Sequence, residues 1–315
     1  MPAQVNPPIT ERQLARADDG SGVVQIRKAL SEDDARLLSS WLTERPTITL
    51  RAYGPDPSLT DLEFLKWLPG LRGLSVSAGH VTDLGWLRHL PDDLATLELE
   101  LTSKKKRPSL EPIARFQQLE RLTLRGHYPG LPVISRLGRL SDLWLSDTSL
   151  SNLEPLLPLE QLHFLSLAGG TTDISLLPQV GRLHHVKLGS MAGLADLSPV
   201  GQLTQLELLF VSRLSSLRAM PDFSAAKALT HVSLESLENL IHLGGLTTAP
   251  DLQHVSIVRE TYPPEIARLT ACPSLQTVRV DFGSEGKNRQ AADVLGPLYR
   301  PRTWQDAWQP DLYWK

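Results

Sequence analysis

From residue 71 to residue 283 aliphatic side chains recur at one spacing: an apolar position, a second three residues on, and a third two beyond that. The triplets are Leu71/Leu74/Val76, Leu94/Leu97/Leu99, Leu119/Leu122/Leu124, Leu140/Leu143/Leu145 and Leu162/Leu165/Leu167. They continue as Leu183/Val186/Leu188, Leu206/Leu209/Val211, Leu229/Val232/Leu234, Leu252/Val255/Ile257 and Leu275/Val278/Val280. Successive starts are 21 to 25 residues apart, and the last four steps are all 23. A unit of this length buries its apolar side only against its neighbours, so the spacing predicts a stacked solenoid. The anchors predict one short strand per unit, pairing in parallel with the next at about 4.8 Å. Between strands the chain returns along the outside, as in ISLLPQVGR (174–182), ADLSPVGQ (195–202) and EIARLTACPS (265–274). Their prolines and short apolar clusters predict single 3₁₀ turns rather than long helices. Three buried anchors contribute about 5–8 kcal/mol before entropy, too little for one unit to fold alone.

The ends break the period. Residues 1–20 are polar, with Pro2, Pro7 and Pro8, and predict a frayed tail. Residues 21–46 predict a strand–helix cap. Val23 to Ile26 alternate, Ser31 and Asp34 form a capping box, Ala35, Leu37, Leu38, Trp41 and Leu42 make an apolar stripe, and Pro46 stops the helix. The array itself is expected over 47–283, opening on the degenerate repeat Thr47 to Ala52. Residues 284–315 predict a helix at about 287–295, then a segment bearing Tyr299, Trp304, Trp308, Tyr313 and Trp314. Such aromatics are costly to leave in water, so this stretch is read as a C-terminal helical, Trp-rich cap, or else as a docking peptide.

Segments such as 162–212, LHFLSLAGGTTDISLLPQVGRLHHVKLGSMAGLADLSPVGQLTQLELLFVS, resemble the short leucine-rich repeat of internalins and phosphatase-1 regulatory proteins. The resemblance covers residues 47–283 and implies an α/β leucine-rich-repeat solenoid, a right-handed superhelix with a parallel concave sheet and a cap at each end. In most members of that family the concave face recognises protein. One column departs from the pattern. Three residues past the last anchor, where the family places asparagine, stand Met191, Leu214 and Leu237. With Leu194, Leu217 and Leu240 three residues further on, these units resemble the cysteine-type repeat of plant immune receptors. Several subfamilies fit, so no single member's binding residues carry over.

With the anchors inward, the residues flanking each second anchor point outward from the concave sheet. The earlier column reads Gly73, Thr96, Arg121, Asp142, Phe164, His185, Leu208, His231, His254, Thr277. The later one reads Ser75, Glu98, Thr123, Trp144, Ser166, Lys187, Phe210, Ser233, Ser256, Arg279. Aromatic anchors with charge at their margin have the composition of a binding hot spot. The candidate partner-binding residues are therefore Trp144, Phe164, His185, Lys187, Leu208, Phe210, His231 and His254. The competing reading is that the aromatics pack across strands against one another. His231 and His254 fall on adjacent strands but lack a third ligand, so a solvated pair is expected rather than a metal site.

A formal charge of -3 and a pI near 6.3 argue against nucleic acid or an anionic membrane as partner. A single cysteine, Cys272, suits a reducing compartment and is read as a core filler. No secretory leader or membrane-spanning run is evident, and a soluble cytoplasmic protein is expected. Phosphate-loop, zinc-protease and nucleophile-elbow motifs are lacking. Glu98 and Glu100 read as solvated charge, and the run Lys104 to Arg107 as an insertion loop. No cofactor and no enzymatic activity are expected; a metal-dependent hydrolase using the later histidines is the remote alternative. The leading function is a recognition scaffold for a partner protein, with an inhibitor or immunity-type protein as the narrower variant.

Overall fold

The computed structural model describes residues 2–78, 81–100, 108–148 and 150–301. The basic run Lys104 to Arg107 and the aromatics Trp304, Trp308, Tyr313 and Trp314 lie outside the described residues. The chain divides into two compact units: residues 1–150 with 155–162, and residues 151–154 with 163–315.

In the first unit the strands are β1 (Ala3–Gln4), β2 (Val23–Ile26), β3 (Thr49–Gly54), β4 (Gly73–Ala78), β5 (Thr96–Glu100), β6 (Arg121–Arg125) and β7 (Asp142–Ser146). Each pairs in parallel with the next. The second unit holds β8 (Phe164–Ala168), β9 (His185–Gly189), β10 (Leu208–Ser212), β11 (His231–Glu235), β12 (His254–Val258), β13 (Thr277–Asp281) and β14 (Tyr299–Pro301), again parallel in chain order. In both units the anchors align in register, for example Leu209 with Val186 and Val232, and they are buried. This is the stacking that the spacing predicts. The return segments are short 3₁₀ turns, including Glu111–Arg115, Leu131–Arg136 and Leu177–Gln179, with a four-residue helix α3 at Ser198–Gly201. Proline stands second in each of these four, within the first turn, where its missing N–H costs nothing.

The departing column has a local cause. Two residues past the third anchor the backbone turns left-handed, at Gly169, Ser190, Arg213 and Ser236 in the second unit. Each of these N–H groups donates to the next coil, as in Ser190 N to Ser212 O at 3.0 Å and Arg213 N to Glu235 O at 3.0 Å. The left-handed residue then directs its successor inward, and Met191, Leu214 and Leu237 are buried. A backbone ladder joins the coils here, while apolar side chains fill the column that asparagine holds in the resembling family.

The first twenty residues correct the expected frayed tail. They contain β1 and the helix α1 (Glu11–Ala17), with Val5, Ile9, Leu14 and Ala17 buried. Thr10 caps α1 by accepting from Gln13 N, a Thr-x-x-Gln pattern visible in the sequence. The cap helix α2 (Glu32–Thr43) forms as predicted, with Ser31 accepting from Asp34 N. Asp34 in turn accepts from Ile9 N at 2.5 Å, fastening the N-terminal extension to α2. At the other end the predicted helix is α4 (Glu285–Leu295), and β14, which was not foreseen, adds a strand beside β13.

Candidate partner-binding face

The two outward columns of the second unit keep the register that alternation predicts. Phe164 pairs with His185, His185 with Leu208, Leu208 with His231, and His231 with His254. Ser166 pairs with Lys187, Lys187 with Phe210, Phe210 with Ser233, and Ser256 with Arg279. Seven of the eight candidate residues thus share one sheet face across β8 to β12. The eighth, Trp144, lies on β7 in the first unit, half-buried.

Exposure corrects the sequence reading. Phe164, Leu208 and Phe210 were expected to stand in solvent but are only 2%, 3% and 5% exposed. Part of the cover is lateral, since neighbours at strand spacing reach over one another. The Lys187 ammonium lies 4.8 Å from the centre of the Phe210 ring, a cation–π contact. His185, Lys187, His231, His254 and Arg279 are half-buried and border this apolar floor.

The electrostatics follow from that burial. Lys187 is held below the usual lysine range, first by loss of water and then by Arg213, with Glu235 opposing. The His231 and His254 rings are 4.5 Å apart between centres. Nδ1 of His231 is 2.8 Å from Thr230 Oγ1, and Nδ1 of His254 is 2.8 Å from Thr277 Oγ1. Burial pushes His231 down to about 4, helped by the charges of His254 and Arg279. His254 is lowered too, by burial and then Arg279. Among the described residues no group of three His, Cys, Asp or Glu is placed to hold a metal ion.

Two further columns escaped the sequence reading, although the same alternation would have found the first. One residue past the third anchor stand Ala168, Gly189, Ser212, Glu235, Val258 and Asp281, which bring Glu235 near Lys187. Just before β8, β9 and β10 lie His163, His184 and Glu207. His184 Nδ1 and His185 Nε2 sit 3.6 and 3.7 Å from the two carboxylate oxygens of Glu207, and His163 meets His184 edge-on at 5.3 Å.

The remaining features are structural. An open hollow of about 410 Å³ is lined by Ser236, Glu238, Val258, Arg259, Glu260, Asp281 and Gly283. Its Arg259 is buried and donates to the carbonyls of Leu240 and Glu238. Burial raises the Glu238 carboxyl, yet hydrogen bonds from Thr261 and Glu260 with the Arg259 charge carry it below the usual range. Arg259, Glu238 and Asp281, the last accepting from Gly283 N at 2.9 Å, already brace the turn. Glu100 pairs with Arg125 at 3.2 Å and accepts from Ser77, so it is not simply solvated. Cys272 is buried and its thiol is pushed up to about 11, as befits a core filler.

No family model and no curated protein matches the chain. Solved structures do. An internalin, InlF of Listeria monocytogenes, superposes with a TM-score of 0.52 at 18% identity, covering 89% of this chain and 78% of that one. The functional domain of InlJ from the same species gives 0.49 at 17% identity, over 95% of this chain and 72% of that one. The leucine-rich repeat domain of the type III effector XopL gives 0.44 at 19% identity, over 85% and 87%. At such identities the likeness speaks to architecture. The chain has the leucine-rich repeat fold.

Proposed function

We infer that this chain is a non-enzymatic recognition protein whose ligand is another protein, bound on the outward columns of β8 to β13. The observation carrying this reading is the apolar floor of Phe164, Leu208 and Phe210. It stands on the sheet face opposite the aliphatic anchors and is bordered by Lys187, Arg279 and histidines. The hydrophobic core is complete on the other face, so the fold itself does not require a second apolar set. Aromatic floors with cationic borders supply binding energy to protein partners, because apolar contact and desolvated charge act together.

The double variant Lys187→Glu/Arg279→Glu reverses the border charge without touching an anchor. Its expected effect is retained folding and partner binding weakened by about 2 kcal/mol, roughly thirtyfold in Kd. Partners identified by affinity capture from the source cell would be titrated against both chains. Equal affinity for the native chain and the double variant removes this face as the recognition site.

A further inference from the structure

On the outward face of β11 to β14, groups able to carry positive charge occupy four consecutive strands. His231 on β11 pairs in register with His254 on β12, and Ser256 of β12 pairs with Arg279 on β13. Arg279 in turn pairs with Arg300 on β14, so two arginines stand side by side on strands about 4.8 Å apart. Like charges opposite one another on a sheet cost stability. Arg300 donates to the carbonyls of Pro297 and Tyr299, neutral acceptors that leave its charge uncancelled. Burial comes first in disfavouring the charged form of both imidazoles. After it, the charges of His254 and Arg279 depress His231, and that of Arg279 depresses His254. Among the described residues no carboxylate acts to raise either ring.

The described carboxylates nearby are engaged elsewhere. Glu235 acts on Lys187 of β9, Asp281 accepts from Gly283 N, and Glu207 lies against His184 and His185. Between β9 and β11, β10 presents the uncharged Leu208 and Phe210. His231, Glu235 and Arg279 have further interactions besides, so an incoming group exchanges for these rather than filling a gap. Guanidinium, imidazole and the hydroxyls of Ser233 and Ser256 together suit an anion that accepts several hydrogen bonds. From β11 to β14 the row spans three strand spacings, about 14 Å. A single chain-terminal carboxylate covers only part of that row. Alternate side chains of an extended segment recur at about 7 Å, so acidic side chains in tandem match it.

We propose that Arg279 and Arg300, with His231 and His254 beside them, seat side-chain carboxylates from an acidic segment of the partner protein. This rests on the recognition reading of that face and names the chemistry of its ligand. A carboxylate beside an imidazole favours the charged ring, so docking draws protons onto His231 and His254. The complex then holds these protons more firmly than the free chain does. Binding therefore tightens as the pH falls from neutral toward the free value of His231, about 4, for as long as the ligand's own carboxylates stay ionised.

The probe is a hexaglutamate peptide blocked at both ends, titrated into the full chain in low salt at pH 7.5 and pH 5.5. Hexaglutamine and inorganic phosphate serve as controls. Affinity for hexaglutamate is expected to be about tenfold higher at pH 5.5, the factor that one imidazole gaining a proton on docking supplies. Arg279→Gln/Arg300→Gln is expected to bind about tenfold more weakly at both pH values. His231→Gln/His254→Gln should keep the affinity seen at pH 7.5 and lose the gain at pH 5.5. Melting curves at both pH values establish that the variants fold, and the histidine pair carries the test if the arginine pair does not. Absence of hexaglutamate binding, equal binding by the arginine variant, or a pH gain that survives the histidine variant overturns the proposal. Phosphate or hexaglutamine binding as tightly as hexaglutamate overturns it as well. Captured partners that are weakened by Lys187→Glu yet indifferent to the arginine variant leave recognition standing and remove the carboxylate seat.

Discussion

At the scale of single residues, His231 shows how burial on an otherwise open sheet changes chemistry. Its imidazole is pushed from 6.5 to about 4 by loss of water and by its neighbours His254 and Arg279. The folded chain therefore binds this proton more weakly than the unfolded chain. Between about pH 6.5 and 4 the unfolded state holds more protons, so stability present at neutral pH is lost as the pH falls. Allowing for screening of a half-buried group, the contribution is about 1–2 kcal/mol. Melting temperatures at pH 7 and pH 4.5 are expected to fall further for the native chain than for His231→Gln. Parallel losses in the two chains count against the assignment. The same burial explains why the sequence misled at Phe164, Leu208 and Phe210. Alternation correctly assigned the face each side chain occupies, but exposure on that face depends on everything standing above it. No periodicity reports that.

At the scale of elements, the legible and illegible parts divide by range of interaction. The anchors, the 3₁₀ returns, α2 and α4 follow from spacing, caps and prolines within a few residues of themselves. α1 and β14 are different. A seven-residue helix and a three-residue strand are too short to persist alone, and they form because tertiary partners hold them. For α1 the partner is Asp34, whose own N–H is capped by Ser31 and whose carboxylate receives Ile9 N. Replacing Asp34 by Ala is expected to cost about 1–3 kcal/mol in urea unfolding, since a buried N–H loses its acceptor. It should also raise hydrogen exchange in α1 well before α2; equal exchange in both helices would show that the fastening lies elsewhere. Glycine marks another long-range demand. A Cβ at Gly245 would lie 2.0 Å from the Pro221 carbonyl oxygen, and one at Gly201 2.0 Å from that of Asp222. Backbones of successive coils touch there, which no local pattern in either segment discloses.

At the scale of the whole molecule, stability is shared between neighbours rather than pooled in one centre. Within the second unit each strand meets only the strands before and after it. Leu209, fully buried in β10, packs in register between Val186 and Val232. Leu209→Ala is expected to cost about 2–5 kcal/mol. Its hydrogen-exchange footprint should centre on β9 to β11 and weaken with each further coil. Uniform loss of protection across β8 to β13 would instead indicate a single cooperative block.

Cys272 is the sole thiol in the sequence, sealed beneath the chain and hard to ionise. A cysteine placed at Ser256 would therefore be the one sulfhydryl that maleimide dyes attack at neutral pH. A fluorophore there would sit two residues past His254, between Ser233 of β11 and Arg279 of β13. Arrival of a partner on this face would change its emission, so occupancy of this surface becomes an optical readout with no second mutation to clear the background.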